Sequence, residues 1–273
     1  MILKKKTTVF AVLLAIGGLA YLFSFGKLFV YLPVAFGFSK HETGSVVVFF
    51  QQGSSFTDLS RLDSLVKPVE DFHHLRFVRK PKIYVFSDSS SYLRRTITKA
   101  RFYAYPNGAL VISPWAIEED KAGTISLDIY VRHELSHSLL YQNMGVLAAW
   151  RYPAWLMEGI AMYSAGQMGT SWYPSRENTY KMIGAGNYFP PAFYKTRKED
   201  KIKLDVEYRI AFMYSEFGCV VDRLTAVYGE DKFVLYMKTL LSGRAHDEVF
   251  REVFGIDYDR FLSDFRSYAN NRL

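Results

Sequence analysis

Two histidines four residues apart, with a glutamate directly after the first, constrain this chain more than any other feature of its sequence. They lie in the segment HELSH at 133–137, inside a stretch that predicts a helix over residues 126–143. Side chains at positions i and i+4 share one face of a helix, so both imidazoles can reach the same metal ion. Glu134 is then placed to hold a water molecule on that metal.

A second predicted helix, over residues 153–165, carries the third candidate ligand. Its Pro153 lies in the first turn, where a missing N–H group costs nothing. Glu158 follows His137 by 21 positions and has Trp155 and Ile160 as apolar neighbours. Burying a carboxylate alone in such surroundings is unfavourable, and a metal ion offsets that cost. Two histidines and one glutamate are a known ligand set for catalytic zinc. The pattern therefore predicts one Zn²⁺ bound by His133, His137 and Glu158.

The order of the predicted elements is strands first and helices later. Strands are predicted at 46–51 and 82–86, and Asn107-Gly108 between two apolar runs predicts a hairpin of 101–105 with 109–113. Besides the two helices above, helical spacing covers 55–66, 206–228, 231–241, 247–253 and 258–270, while 166–191 is predicted to be irregular. This order is typical of the α+β class.

The N-terminal segment differs from the rest of the chain. Lys4, Lys5 and Lys6 precede an uncharged apolar run at 7–26, which is long enough for one transmembrane helix. Positive charge ahead of the run predicts a cytoplasmic N-terminus and an extracytoplasmic C-terminal part. Residues 1–39 are thus expected to be an anchor or signal sequence, and 40–273 the functional domain. The small residues Gly18 and Ala20, at suitable spacing for cleavage, leave a cleaved signal peptide as the alternative.

Charge and cysteine content exclude other classes of protein. The chain has 34 Lys+Arg and 27 Asp+Glu, and four of the basic residues lie in the first 39 positions, which hold no acid. The remaining 30 basic residues exceed the acidic ones by only three, which gives little support for a nucleic-acid-binding surface. A single cysteine, Cys219, excludes an intrachain disulfide and a Cys-rich zinc site.

Several other histidine and aromatic residues are interpreted as having no role in metal binding or catalysis. His73 and His74 precede a predicted strand and are expected at the surface, as is His246 near a helix start. Trp172 and Tyr173 suit a flexible cover over the site, but packing of the loop onto the core is the favoured interpretation.

The two helices together resemble a known group. HELSH followed by PAWLMEGIAMY is similar to the gluzincin zinc metallopeptidases, specifically the peptidase MA-like family, and the similarity extends from about residue 46 to 268. The resemblance implies a zincin-type catalytic core with His133, His137 and Glu158 as zinc ligands. It also implies that Glu134 is the general base and acid.

The same resemblance implies two further features and shows one departure. Tyr214 matches a helix position where relatives carry a tyrosine facing the site, with Tyr208 as the competing candidate. The hairpin strand at 109–113 would be the edge strand along which an extended peptide pairs. Many relatives carry an acidic residue four positions after the ligand glutamate, and here that position is Met162. The second N–H of a zinc histidine must then find its partner elsewhere.

The sequence thus predicts a membrane-anchored zinc metallopeptidase that hydrolyses peptide bonds outside the cytoplasm. Its expected partners are a peptide or protein substrate and, through the N-terminal helix, a membrane, with no nucleic acid. Two alternatives stay open. One is a non-catalytic binding protein that keeps the zinc fold, although no ligand or base is lost. The other is a zinc hydrolase acting on a non-peptide bond.

Overall fold

The computed structural model describes residues 2–32 and 34–272, and for residues 2–9 the backbone alone. Its strands are β1 Phe38–Glu42, β2 Val47–Gln51, β3 Lys82–Val85, β4 Phe102–Ala104 and β5 Ala109–Ile112. Its α-helices are α1 Ile2–Ser24, α2 Leu59–Ser64, α3 Val66–His73, α4 Ser89–Arg95, α5 Pro114–Lys121, α6 Leu127–Asn143, α7 Val146–Arg151, α8 Ala154–Ala165, α9 Arg176–Gly184, α10 Arg209–Tyr228, α11 Glu230–Leu240, α12 His246–Phe254 and α13 Tyr258–Asn270. Short 3₁₀ turns lie at Phe29–Tyr31, Pro191–Phe193 and Glu199–Lys201. A sheet followed by helices confirms the predicted α+β order.

The five strands form one mixed sheet in the order β1-β2-β3-β5-β4. The three central strands, β2, β3 and β5, run parallel, and β1 and β4 pair antiparallel at the two edges. The prediction that 109–113 is the edge strand is therefore wrong. This strand pairs on both sides, with β3 and with β4, and its hairpin partner β4 is the edge instead.

Alternate side chains of each strand point to opposite faces of the sheet, and each face packs in its own apolar cluster. Val48, Ile83 and Leu110 pack in one apolar cluster with Leu135 and other residues of α6. On the opposite face, a second cluster joins the sheet residues Val47, Phe49, Tyr84 and Val111 to Phe29, Val30, Tyr92 and Tyr105. One face of the sheet thus packs against α6.

The N-terminal apolar run folds as helix, α1. Within the part of the chain that the structure describes, no helix is long and apolar enough to cross a membrane. The predicted transmembrane helix therefore has no support among those residues.

The largest apolar cluster lies among the helices that follow the sheet, from α8 to α13. Its closest packing is between α8 and α10, where Gly159 faces the backbone of Phe217. A methyl group at Gly159 would lie 2.6 Å from the Phe217 carbonyl oxygen, so only glycine fits there without a shift. Gly166 ends α8 in the left-handed conformation, with φ of 66°, that favours glycine.

Part of the segment 166–191 is helical, which the prediction of an irregular segment missed. Ser175 caps the N-terminus of α9 by accepting a hydrogen bond from the Asn178 N–H group. Its Tyr180 and Ile183 are buried among the helices, so tertiary packing stabilises a short helix in a sequence rich in turn residues.

Candidate metal centre

Two packed helices bring the predicted ligands together. His133 and His137 lie one turn apart on α6, and Glu158 lies on α8, directly across from them. All three residues are buried. Because α6 rests on the sheet and α8 on α10, the backbone of each ligand belongs to a buried helix rather than to a loop.

The ligand atoms converge on one point. Nε2 of His133 lies 3.1 Å from Nε2 of His137, and the two nitrogens lie 3.4 and 3.3 Å from Oε2 of Glu158. Ligands at zinc distances of about 2.0–2.1 Å in a tetrahedron lie roughly 3.3–3.4 Å from one another. The three atoms thus form one face of a tetrahedron of the right size, and these residues could hold a metal ion.

Electrostatics agree with this arrangement. Burial alone would raise the pKa of the Glu158 carboxyl, but the adjacent His137 and His133 hold it well below its usual value. A ligand carboxylate must be ionised, and Glu158 is. Glu134 differs, since burial raises its pKa against the opposing influence of the two histidines. Its carboxyl also borders the backbone of Ala104 on β4, so it lies between the metal ligands and the open strand.

The outer nitrogens of the two histidines have no orienting partner among the described residues. Nδ1 of His133 and Nδ1 of His137 are both buried there without a hydrogen bond to the protein. Met162, where relatives carry an acid, is fully buried and offers no acceptor. The expectation that another group, such as a backbone carbonyl, replaces that acid is not met within this part of the chain. Packing, rather than hydrogen bonding, therefore sets the orientation of both rings.

One hydrogen bond does tie α6 to its surroundings close to the ligands. Ser136 lies between them in sequence, and its Oγ is 2.8 Å from Nε2 of His73, whose Nδ1 is 2.7 Å from the Val69 carbonyl oxygen. Because that carbonyl can only accept, Nδ1 carries the proton and Nε2 accepts from the serine. His73 is fully buried, so the prediction of a surface histidine is wrong for this residue. The signal that could have revealed it is the amphipathic spacing of α3.

Two tyrosines lie beside Glu158. The Tyr194 hydroxyl is 3.4 Å from Oε1 of Glu158 and 2.8 Å from the Tyr214 hydroxyl. The Tyr214 ring stacks on that of His133, with the centroids 6.3 Å apart. Burial, and then the nearby Glu158 charge, raises the pKa of Tyr214 well above its usual value, so its hydroxyl keeps the proton. The structure thus brings Tyr214 to the ligands, whereas the competitor Tyr208 is half exposed at the start of α10. Sequence reasoning missed Tyr194.

The ligands open into a cleft of about 470 Å³. Besides the residues already described, its lining includes β4, Tyr141, Trp172, Tyr173 and Lys195. Trp172 stacks against Arg101, with the guanidinium carbon 4.5 Å from its ring. The loop after α8 therefore both packs on the core and forms a wall of the cleft.

The free edge of β4 faces this cleft. Just before β4, the Arg101 carbonyl oxygen accepts a hydrogen bond from the Ser113 N–H group at 2.9 Å. Just after it, the Tyr105 N–H group donates to the Ala109 carbonyl oxygen at 2.7 Å. In an antiparallel ladder, alternate residues turn their backbone groups toward the partner strand. Phe102 and Ala104 consequently turn theirs away from β5, and both residues line the cleft. An extended chain can pair with this edge.

Comparisons with known proteins agree with the fold. The chain is similar in structure to a mutant M1 zinc metallopeptidase from Deinococcus radiodurans, with a TM-score of 0.50 and 12% sequence identity. The match covers 86% of this chain and 51% of that protein, so this chain spans about half its length. No family model matches the sequence, and no curated protein matches it. At this identity the likeness establishes a shared zincin-like fold: a small sheet followed by a mainly helical core.

Proposed function

We propose that this chain is a zinc-dependent peptidase of the gluzincin type, as its resemblance to the peptidase MA-like family implies. The observation that carries the proposal is the convergence of three buried ligand atoms at tetrahedral spacing, with a carboxylate beside them and an open strand edge in the same cleft. A structural zinc site would have four protein ligands, whereas the described residues offer three, which suits a site that keeps a position for water or substrate.

When bound, zinc supplies a Lewis acid that polarises the scissile carbonyl and makes water acidic enough to attack it. The residues of the chain supply the rest. Glu134 accepts the proton of the attacking water and passes it to the leaving amine. Tyr214 donates its hydroxyl hydrogen toward the oxygen on which negative charge develops. The edge of β4 aligns the substrate backbone by strand pairing.

The open strand edge favours a peptide over other substrates. The backbone groups of Phe102 and the carbonyl group of Ala104 complement the backbone of an extended peptide, which a non-peptide ester lacks. The intact set of ligands with Glu134 also speaks against a binding protein that keeps only the fold. These features support peptide hydrolysis.

Metal analysis and one variant test the proposal. The purified full chain should bind one zinc ion and cleave members of an unbiased peptide library. Glu134→Gln should keep the metal, since it spares the ligands, and lose turnover. Glu118→Gln, at an exposed position on α5, is the matched control and should behave as wild type.

The outcomes separate the alternatives. A chain that binds no zinc after reconstitution would refute the proposal outright. Zinc binding without cleavage of any peptide would favour the binding protein or the non-peptide hydrolase. Full activity in Glu134→Gln would show that the mechanism assigned to this carboxylate is wrong.

We also propose that the cleft lies outside the cytoplasm. The proposal rests on the sequence alone, namely the three lysines before the uncharged run at 7–26. A reporter enzyme that works only outside the cytoplasm should be active when it is fused after residue 273, and one that works only in the cytoplasm should be inactive there. Activity of a reporter that works only in the cytoplasm would refute this placement, whether the segment is retained or cleaved.

A further inference from the structure

Lys195 places a cation at the mouth of the candidate metal centre. Its Nζ lies 3.5 Å from Oε1 of Glu158, and its side chain is 61% exposed toward the cleft. At 3.5 Å this hydrogen bond is at the limit of the usual range. An ammonium group has three donors, so most of the hydrogen-bonding capacity of Lys195 is available to a ligand in the cleft.

The backbone holds Lys195 in an uncommon conformation. Its φ is 57°, in the left-handed region that residues with a Cβ seldom adopt. The Lys195 N–H group donates to the Glu199 carboxylate at 2.7 Å, which stabilises the turn. As a result, two consecutive side chains, Tyr194 and Lys195, both reach the same oxygen of Glu158. In an extended segment they would point to opposite sides.

The other charged groups of the cleft are already engaged. The second cation in the lining, Arg101, forms an ion pair with Glu119 and stacks on Trp172. The carboxylates among the described lining residues are Glu134 and Glu158, the proposed base and a proposed metal ligand. Within this part of the chain, the cleft therefore has no further acid to bind a substrate amine, and it has one ammonium to bind an anion.

We propose that Lys195 recognises a carboxylate on the substrate, so that the cleft prefers peptides with an acidic group next to the scissile bond. The inference rests on the proposed function and narrows its substrate class. Because Nζ lies beside an oxygen of Glu158, the recognised carboxylate belongs to a residue that flanks the bond to be cleaved. It comes either from a free C-terminus or from an Asp or Glu side chain.

Binding can be measured apart from catalysis. Zinc-loaded Glu134→Gln protein is titrated calorimetrically with short peptides that differ only in one charge. One pair has a C-terminal acid or amide, and a second pair has Glu or Gln at the position beside the expected cleavage site. The acid member of one pair should bind about tenfold or more tightly than its neutral partner, as expected for a hydrogen bond between charged groups. Which pair responds identifies the source of the carboxylate.

Lys195→Met, introduced into the same protein, should abolish that difference, and Lys195→Arg should retain most of it. Lys198→Met removes a lysine from the same segment that does not line the cleft and should leave the preference unchanged. In the active enzyme, Lys195→Met should raise KM for the acidic peptide about tenfold more than KM for the neutral one. Zinc content should not change.

The inference would be overturned if Glu134→Gln protein that retains Lys195 bound the acid and neutral peptides equally. Failure of all four peptides to bind would overturn it as well. An equal loss for acid and neutral substrates in Lys195→Met would overturn it too, because the lysine would then act through Glu158. These results are distinct from a failure of the proposed function, which would appear as absence of peptide cleavage by the zinc-loaded wild type.

Discussion

The two sides of the cleft are built in different ways. On one side, the ligands sit on α6 and α8, two helices that are packed against the sheet and against α10. On the other side, a segment of 3₁₀ turns at 191–201 carries Tyr194 and Lys195. Individual hydrogen bonds hold this segment, such as that from the Lys195 N–H group to the Glu199 carboxylate.

This difference separates metal binding from substrate recognition. Changes in the helix pair move ligand atoms and disturb the core at once, because buried helices are close-packed and transmit strain. Changes at an exposed side chain of the 191–201 segment alter what the cleft binds at little expense to the fold, since surface substitutions are usually within about 0.5 kcal/mol of neutral.

The largest effect is expected where the two sides meet, at the hydroxyl pair of Tyr194 and Tyr214. Tyr214→Phe keeps the ring stacked near His133 and deletes only the donor. Loss of one oxyanion donor lowers turnover about 10²- to 10³-fold. We expect this loss in kcat, with unchanged zinc content and a nearly unchanged unfolding temperature.

Tyr208→Phe is the control, since this half-exposed residue lies outside the cleft lining. Unchanged turnover in Tyr214→Phe together with a loss in Tyr208→Phe would reassign the role. No effect from either substitution would remove a tyrosine hydroxyl from the mechanism.

A smaller effect, mostly on stability, is expected at Gly159. A methyl group there would meet the Phe217 backbone at 2.6 Å, so Gly159→Ala must push α8 from α10 and shift the adjacent Glu158. Overpacking of this kind destabilises by about 1–3 kcal/mol, beyond the roughly 1 kcal/mol that alanine gains over glycine in a helix. Zinc affinity should fall with it, as measured by competition with a chelator.

Gly218→Ala sharpens this test on the facing helix. Its methyl group would lie 3.1 Å from Sδ of Met168, a flexible side chain that can move away, and 3.2 Å from Cβ of Met162 on α8, so a shift of a few tenths of an ångström relieves both contacts. The cost in stability should be smaller than at Gly159, and zinc affinity should stay near wild type. Equal effects at the two positions would argue that the approach of α8 and α10 does not set the geometry of Glu158.

The sequence predicted one side of the cleft far better than the other, for a physical reason. The spacing of His133 and His137 is a property of a single helix, and periodicity alone reveals it. Glu158 required only a second helix and the known preference of zinc for three protein ligands. Such short-range patterns survive folding unchanged, and the structure brings all three residues together.

The rest depends on contacts between distant segments. The edge strand was misassigned because a hairpin pattern does not tell which of its two strands pairs again, and β5 pairs with β3 through a connection that the pattern does not encode. Tyr194 and Lys195 lie in a segment without periodicity, and only tertiary packing brings them to Glu158. The burial of His73 follows from the spacing of α3, but its partner Ser136 is 63 residues away and leaves no local signal.

The smallest effect on metal binding and turnover is expected at Glu216, a fully buried carboxyl on α10 that links the two sides. It accepts a hydrogen bond from the N–H group of Phe189, at 3.1 Å, in the stretch that leads to the 191–201 segment. Burial raises the pKa of Glu216 well above its usual value. The folded state therefore holds a proton that the unfolded state releases above its own pKa, near 4.5. The stability from this group is complete below that pH and is lost as the pH rises toward the folded pKa.

Glu216→Gln keeps an oxygen for the Phe189 N–H group and removes the titration. The variant and the wild type should unfold at similar denaturant concentrations near pH 4.5. As the pH rises toward the folded pKa of Glu216, the variant should become more stable than the wild type by about 1.4 kcal/mol for each pH unit. Urea unfolding of both proteins over a pH series measures this difference directly. Zinc content should match the wild type at every pH where both are folded, because Glu216 is not among the metal-holding residues. A stability difference that does not vary with pH would show that Glu216 is ionised in the folded protein, and that the link between the two sides of the cleft is a charged one.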